Sequence, residues 1–191
     1  MKKLGIVEGF YGSLISFSQR NAIVESLSNN NLNFYLYAPK EDPFIRKHID
    51  LDHSKEWEEQ FQNFCHNANK KNIQISAGLC PKTNDYVSLA NKINKFKSLG
   101  CNHFAILFDD TEDYDLKSQL DIFNKAENEF QDCEIIFCPS IYTSELIDQN
   151  QNTKEYFASF KNNFPQDKTF IWTGPNVISE ELNDEVDNDL K

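Results

Sequence analysis

The sequence predicts an α/β protein of the (β/α)8-barrel type, with about six βα units present. Two observations carry this. Short apolar runs alternate with longer amphipathic stretches along the 191 residues, as parallel strands joined by crossover helices do. Nearly every apolar run also ends in glycine, proline, aromatic or charged residues, the composition of the strand C-terminal face that carries a barrel's active site. The main competing parallel architecture is the phosphate-binding doubly wound sheet. It lacks support, because no GxGxxG follows the first run and no GxxxxGK[ST] occurs anywhere.

In chain order, strands are expected at 4–9 (LGIVEG), 33–38 (NFYLYA), 73–78 (IQISAG), 103–108 (HFAILF), 134–139 (EIIFCP) and 169–174 (TFIWTG). Several are continuously apolar rather than alternating, as strands covered on both faces are. Helices are expected at 17–30, capped by Ser16 or Ser18, and at 54–71, where Trp57, Phe61 and Phe64 recur at helical spacing after Ser54. The next covers 86–99 and is stopped by Gly100, followed by 116–131, 153–163 and 179–190. No linker divides the chain, so residues 1–191 read as a single barrel domain with an acidic end at 179–191. A complete barrel takes about 250 residues and eight strands, so the expectation is a barrel lacking its last βα units.

Composition narrows the function. Hydrophobic content of 39% with 13% aromatic residues describes a folded rather than a disordered chain. A net charge of −11 argues against nucleic acid or an anionic membrane as partner, since both attract basic surface. No run approaches the roughly 18 apolar residues of a membrane span. The start, MKKLGIVEGFYG, lacks the h-region and cleavage site of a signal peptide, so a cytoplasmic protein is expected. The five cysteines form no CxxC pair and read as reduced thiols. The four histidines fall at no zinc-ligand spacing, so no metal and no cofactor is expected.

The strand ends together suit a sugar. Carbohydrates stack on aromatic faces, here Phe10, Tyr11, Tyr142 and Trp172, and need fixed hydrogen-bonding groups, here Lys40 and the backbone at Gly9. Glycosidic bonds are cleaved by paired carboxyl groups, and Asp109 and Asp110 stand side by side after the fourth run. Adjacent residues of a regular strand point to opposite faces, so the two can share a pocket only if the strand ends between them. Thr111-Glu112-Asp113 suits such a turn.

The stretches VEGFYG, YLYAPK, ILFDD, FCPSIY and WTGP, in that order and across residues 4 to about 178, resemble the catalytic domain of family 84 glycoside hydrolases. That family comprises the O-GlcNAcases and related bacterial β-N-acetylglucosaminidases, including hyaluronidase-like members. The resemblance implies a glycosidase that removes terminal β-linked N-acetylglucosamine from a glycan or glycoprotein, with retention and without a cofactor. The substrate's own 2-acetamido oxygen would attack the anomeric carbon and form an oxazoline, a recognised exception to the two-carboxylate scheme. Asp109 would orient the acetamide and Asp110 would serve as acid and then base, with Gly9, Lys40 and Tyr142 holding the sugar and Trp172 forming a wall. The family's further sugar-binding segment, resembling WDN…ND, has no counterpart here. A shortened relative is therefore the alternative expectation: one that binds such sugars with weak turnover or none, needs a partner chain to complete the barrel, or forms a homodimer through open sheet edges.

Overall fold

In the computed structural model, residues 2–109, 111 and 114–178 are described. Five strands form one sheet in the order β1-β2-β3-β4-β5: β1 Gly5–Glu8, β2 Phe34–Tyr37, β3 Gln74–Leu79, β4 His103–Leu107 and β5 Glu134–Cys138. Helices α1 Phe17–Asn29, α2 Lys55–Lys70, α3 Tyr86–Ser98 and α4 Leu116–Glu129 follow the first four strands in alternation. After β5 come the short α5, Ser144–Ile147, and then α6, Gln151–Asn163. The pairing is parallel, with Gly5 opposite Phe34 and Phe34 opposite Gln74. Each strand lies beside its sequence neighbour and the order never reverses. That is the winding of a barrel wall rather than of a doubly wound sheet, which has a switch point. The fold is thus a partial barrel, as the sequence predicts.

The chain divides into two compact units, Met1–Ala105 with Phe130–Glu134, and Ile106–Glu129 with the residues from Ile135 onward. In the first unit the helix ends are written locally. Ser16 caps α1 in a capping box with Gln19, Ser54 caps α2 at Trp57 N, and Asp85 caps α3 at Ser88 N. All three helices stop by the same device. Asn31, Asn72 and Gly100 take positive φ (57°, 59° and 90°), and the next residues, Leu32, Ile73 and Cys101, return N–H bonds to Leu27, Ala68 and Phe96. This is the Schellman stop, which favours residues that tolerate the left-handed region. The strand then begins within two residues. Gly5 has a steric reason: a Cβ there would lie 1.7 Å from the Phe34 carbonyl oxygen, so only glycine permits the β1–β2 approach.

Aromatic residues fill both cores. In the first unit Trp57 stacks on Phe61 at 4.8 Å, and Phe61 meets Tyr37 and Phe96 edge-on. In the second, Phe137 of β5 is ringed by Phe108, Phe123, Phe160 and Phe164.

The sixth expected strand is reduced to one bridge, Phe137 opposite Phe170. Phe137 N donates to Thr169 O and Ile171 N donates to Phe137 O. The next ladder donor would be residue 139, and Pro139 has no N–H. The segment instead leaves the sheet and holds the loop after β5, with Thr173 N bonded to Tyr142 O and Ser144 N to Gly174 O. The one-turn helix α5 is too short for a periodic signal. The helix expected at 179–190 lies outside the described residues. Among the described residues no helix is long and apolar enough to cross a membrane.

Candidate active site

In the first unit, β1 ends on a buried acid. Glu8 is 1% exposed and sits in a run that is otherwise apolar. A charge in that position must be paired, and Arg20 of α1 supplies the partner. Its Nη2 lies 2.8 Å from Glu8 Oε1 and its Nε 3.0 Å from Oε2, a two-pronged contact. Tyr35 of β2 donates its hydroxyl to the same Oε2 at 2.5 Å. The guanidinium is sandwiched by Phe17 and Tyr37, 4.8 and 4.9 Å from the ring centres. Burial opposes its charge most strongly, but the bond to Glu8 together with the electrostatic pull of Tyr37, Glu8 and Tyr35 outweighs this and raises its pKa.

A second cluster pins the loop after β2. Asp42 is 2% exposed and accepts from Tyr37 OH at 2.5 Å, from Phe44 N at 2.9 Å and from His53 Nε2 at 2.8 Å. Burial would raise the Asp42 carboxyl, but the His53 and Tyr37 bonds overcome it and hold it below the usual carboxylate range. His53 lies flat on Trp57, 3.5 Å between ring centres. Lys40 stands in this pinned loop, two residues before Asp42. Its Nζ reaches over the Tyr11 ring at 5.8 Å.

The two buried tyrosines make an alkaline prediction. Burial, then the neighbouring Glu8, pushes the Tyr35 phenol well above its ordinary pKa. Burial, then Asp42, does the same for Tyr37. Such groups keep their protons in the fold when the unfolded chain has lost them. Their stabilising contribution is therefore complete below about pH 10 and declines as pH rises further, by about 1.4 kcal/mol per unit for each such phenol. Urea midpoints of the wild type are expected to fall steeply above about pH 10, and the Tyr35→Phe and Tyr37→Phe variants to lose that slope in part. A flat wild-type profile would contradict the assignment.

In the second unit, β4 ends at Leu107 and the chain turns at once. Phe108 O accepts from both Thr111 N at 3.3 Å and Thr111 Oγ1 at 2.9 Å, and Asp109 lies inside this turn, half-buried. The strand therefore ends before Asp109; of the turn expected over Thr111-Glu112-Asp113, Glu112 and Asp113 lie outside the described residues. Asp110 itself lies outside the described residues. Beneath the turn is a buried polar group made of Ser140, Gln119 of α4 and Tyr156 of α6.

The predicted residues fall in both units. Gly9, Phe10, Tyr11 and Lys40 follow β1 and β2 in the first, with Phe10 and Tyr11 exposed at 53% and 74%. Asp109, Tyr142 and Trp172 belong to the second, where Trp172 stacks on Phe157 of α6 at 5.6 Å. Sequence reasoning missed Arg20 as the partner of Glu8, Asp42 with His53 as a second supporting pair, and Gln119 with Tyr156 as a third. A signal existed for the first: a glutamate inside an apolar run needs a buried cation. Among the described residues no group of three or more His, Cys, Asp or Glu could hold a metal ion.

Comparison with known proteins gives consistent results. Residues 4–191 match the family model described as beta-N-acetylglucosaminidase. The chain is 28% identical over 197 aligned residues to the Protein O-GlcNAcase of Mus musculus and equally to that of Rattus norvegicus. In each case the match takes in 93% of this chain and 22% of the relative, so the chain spans less than a quarter of the length of these curated relatives. An aspartate-to-asparagine mutant of the Thermobaculum terrenum O-GlcNAc hydrolase superimposes with a TM-score of 0.84 at 27% identity, covering 99% of this chain and 46% of that one.

Proposed function

The chain belongs to the β-N-acetylglucosaminidase family, and we propose that it hydrolyses terminal β-linked N-acetylglucosamine of the kind carried by O-GlcNAc glycoproteins. The observation that supports this most is the Asp109-Asp110 pair, set directly after β4 in a chain matched to the family from residue 4 onward.

In this reading the acetamide oxygen of the substrate attacks the anomeric carbon as the glycosidic C–O bond breaks. Asp110 gives its proton to the departing oxygen. Asp109 accepts the acetamide N–H, steers its oxygen and offsets the positive charge that develops there. Water, deprotonated by Asp110, then opens the oxazoline at the same carbon, so two inversions leave configuration retained. Gly9 approaches the sugar through its backbone, and Lys40 binds ring hydroxyls from its pinned loop. Phe10 and Tyr11 offer aromatic faces, Tyr142 lines the acetamide end and Trp172 forms a wall. Purified chain is expected to release 4-nitrophenol from the 4-nitrophenyl glycoside of N-acetylglucosamine, and absence of turnover would sink this reading.

A second reading rests on β1, which among the described residues stands at the edge of the sheet, with Val7 55% exposed and Leu4 just before it 46% exposed. Unpaired edges invite strand addition, and here a second copy would complete the sheet before sugar binding. Sedimentation then gives a dimer, whereas a monomer with full activity excludes it.

A further inference from the structure

We propose that Tyr156 of α6 and Gln119 of α4 are positioning residues for Asp109, acting through a hydrogen-bond chain with a fixed direction. The inference deepens the hydrolase reading and rests on it for the role of Asp109.

The chain can be followed atom by atom. Tyr156 OH donates to Gln119 Oε1 at 2.6 Å. Gln119 Nε2 donates to Ser140 Oγ at 2.8 Å, and Ser140 Oγ lies 3.2 Å from Thr111 Oγ1. Thr111 Oγ1 lies 2.9 Å from Phe108 O. A carbonyl can only accept, so the Thr111 hydroxyl proton is committed to Phe108 O, and in the contact between the hydroxyls Ser140 is the donor. Each link therefore points the same way, from Tyr156 toward the carbonyl that precedes Asp109. A further bond ties the start of the chain to the loop after β5, since Ser140 N donates to Tyr156 OH at 3.0 Å.

Three of the members are almost fully buried: Gln119 at 0% exposure, and Ser140 and Tyr156 at 3% each. Burying three polar side chains is costly unless all are satisfied. A packed apolar group would serve stability as well, as replacement of buried polar sets shows elsewhere. The chain ends on the peptide that carries Asp109. Its two sources are helices whose own sequence spacing to the pair gives no hint of contact. Orientation matters here because a small misplacement of a reacting group costs up to about a hundredfold in rate.

Tyr156→Phe removes one hydroxyl at nearly constant volume, and Thr111→Val, at a half-buried position, breaks the last link without opening the core. The measurements use the full chain labelled with ¹³C and ¹⁵N, with Asp109 assigned through Asp109→Asn. Expected in both variants are displaced or doubled amide and carboxyl resonances of Asp109, and kcat lowered about tenfold with KM unchanged. Thr111→Ser keeps the hydroxyl and is expected to keep the wild-type resonances. The proposal is overturned if Tyr156→Phe lowers the melting temperature while Asp109 resonances stay in place. Should the wild type show no turnover, the resonances alone decide the positioning role, and the hydrolase reading falls by itself.

Discussion

Asp110→Asn is expected to lower kcat on aryl N-acetylglucosaminides by about 10²–10⁴, the range that general acid–base catalysis contributes. The loss should depend on the leaving group. 4-Nitrophenol departs as a stabilised anion and needs little protonation, so its glycoside should suffer least. A glycoside of an aliphatic alcohol, which cannot leave unprotonated, should suffer most. Asp109→Asn acts elsewhere. Asparagine can still accept the acetamide N–H but carries no charge to oppose the developing oxazolinium, so its penalty should be similar for every leaving group. The two variants are thus told apart by the slope of log kcat against leaving-group acidity, steeper in Asp110→Asn and unchanged in Asp109→Asn. Parallel slopes would abolish the assignment of roles, and a steeper slope in Asp109→Asn would reverse it. KM should move little in either variant, since both interactions grow in the transition state rather than in the bound ground state.

Most of the scaffold is legible in the sequence, and the exceptions have physical causes. The first five apolar runs become strands whose ends differ from expectation by a residue or so; β2, β3 and β4 are each bounded by a helix stop on one side and a strand-end motif on the other. The sixth run looks as apolar as the others and fails for a reason lying on its neighbour, the missing N–H of Pro139. The strand-end places of Lys40 and Asp109, both proposed site residues, are legible because position after a strand is itself the signal. The supporting residues are not. Glu8 finds Arg20 twelve positions away and Tyr35 twenty-seven away, and Tyr156 reaches Gln119 across thirty-seven. Such pairings are made by the winding of the fold, which no local pattern encodes. Only the demand for them shows in the sequence, as a lone glutamate in GIVEG.

That glutamate makes the largest stability prediction. Arg20→Met should cost about 3–5 kcal/mol, the penalty for leaving one partner of a buried ion pair behind. In a chain of this size that corresponds to a melting temperature lower by roughly 8–15 °C. The effect has three parts, all of which act in the same direction. Glu8 loses both guanidinium contacts and keeps only the Tyr35 hydroxyl in a site 1% exposed. The rings of Phe17 and Tyr37 lose the cation packed between them. The last residue of β1 is left under strain immediately before Gly9. Removing both charges should be far milder than removing one, because the desolvation cost disappears with the pair. A Glu8→Leu/Arg20→Met double variant is therefore expected to recover most of the loss, with urea midpoints supplying the coupling energy. Arg20→Lys separates charge from geometry: lysine restores the positive charge but not the fork or the stacked plane, so a substantial deficit should remain. If Arg20→Met instead shifts the midpoint by less than about 1 kcal/mol, the pair behaves as an exposed one would, and Glu8 is not the closed, fully paired strand end described here.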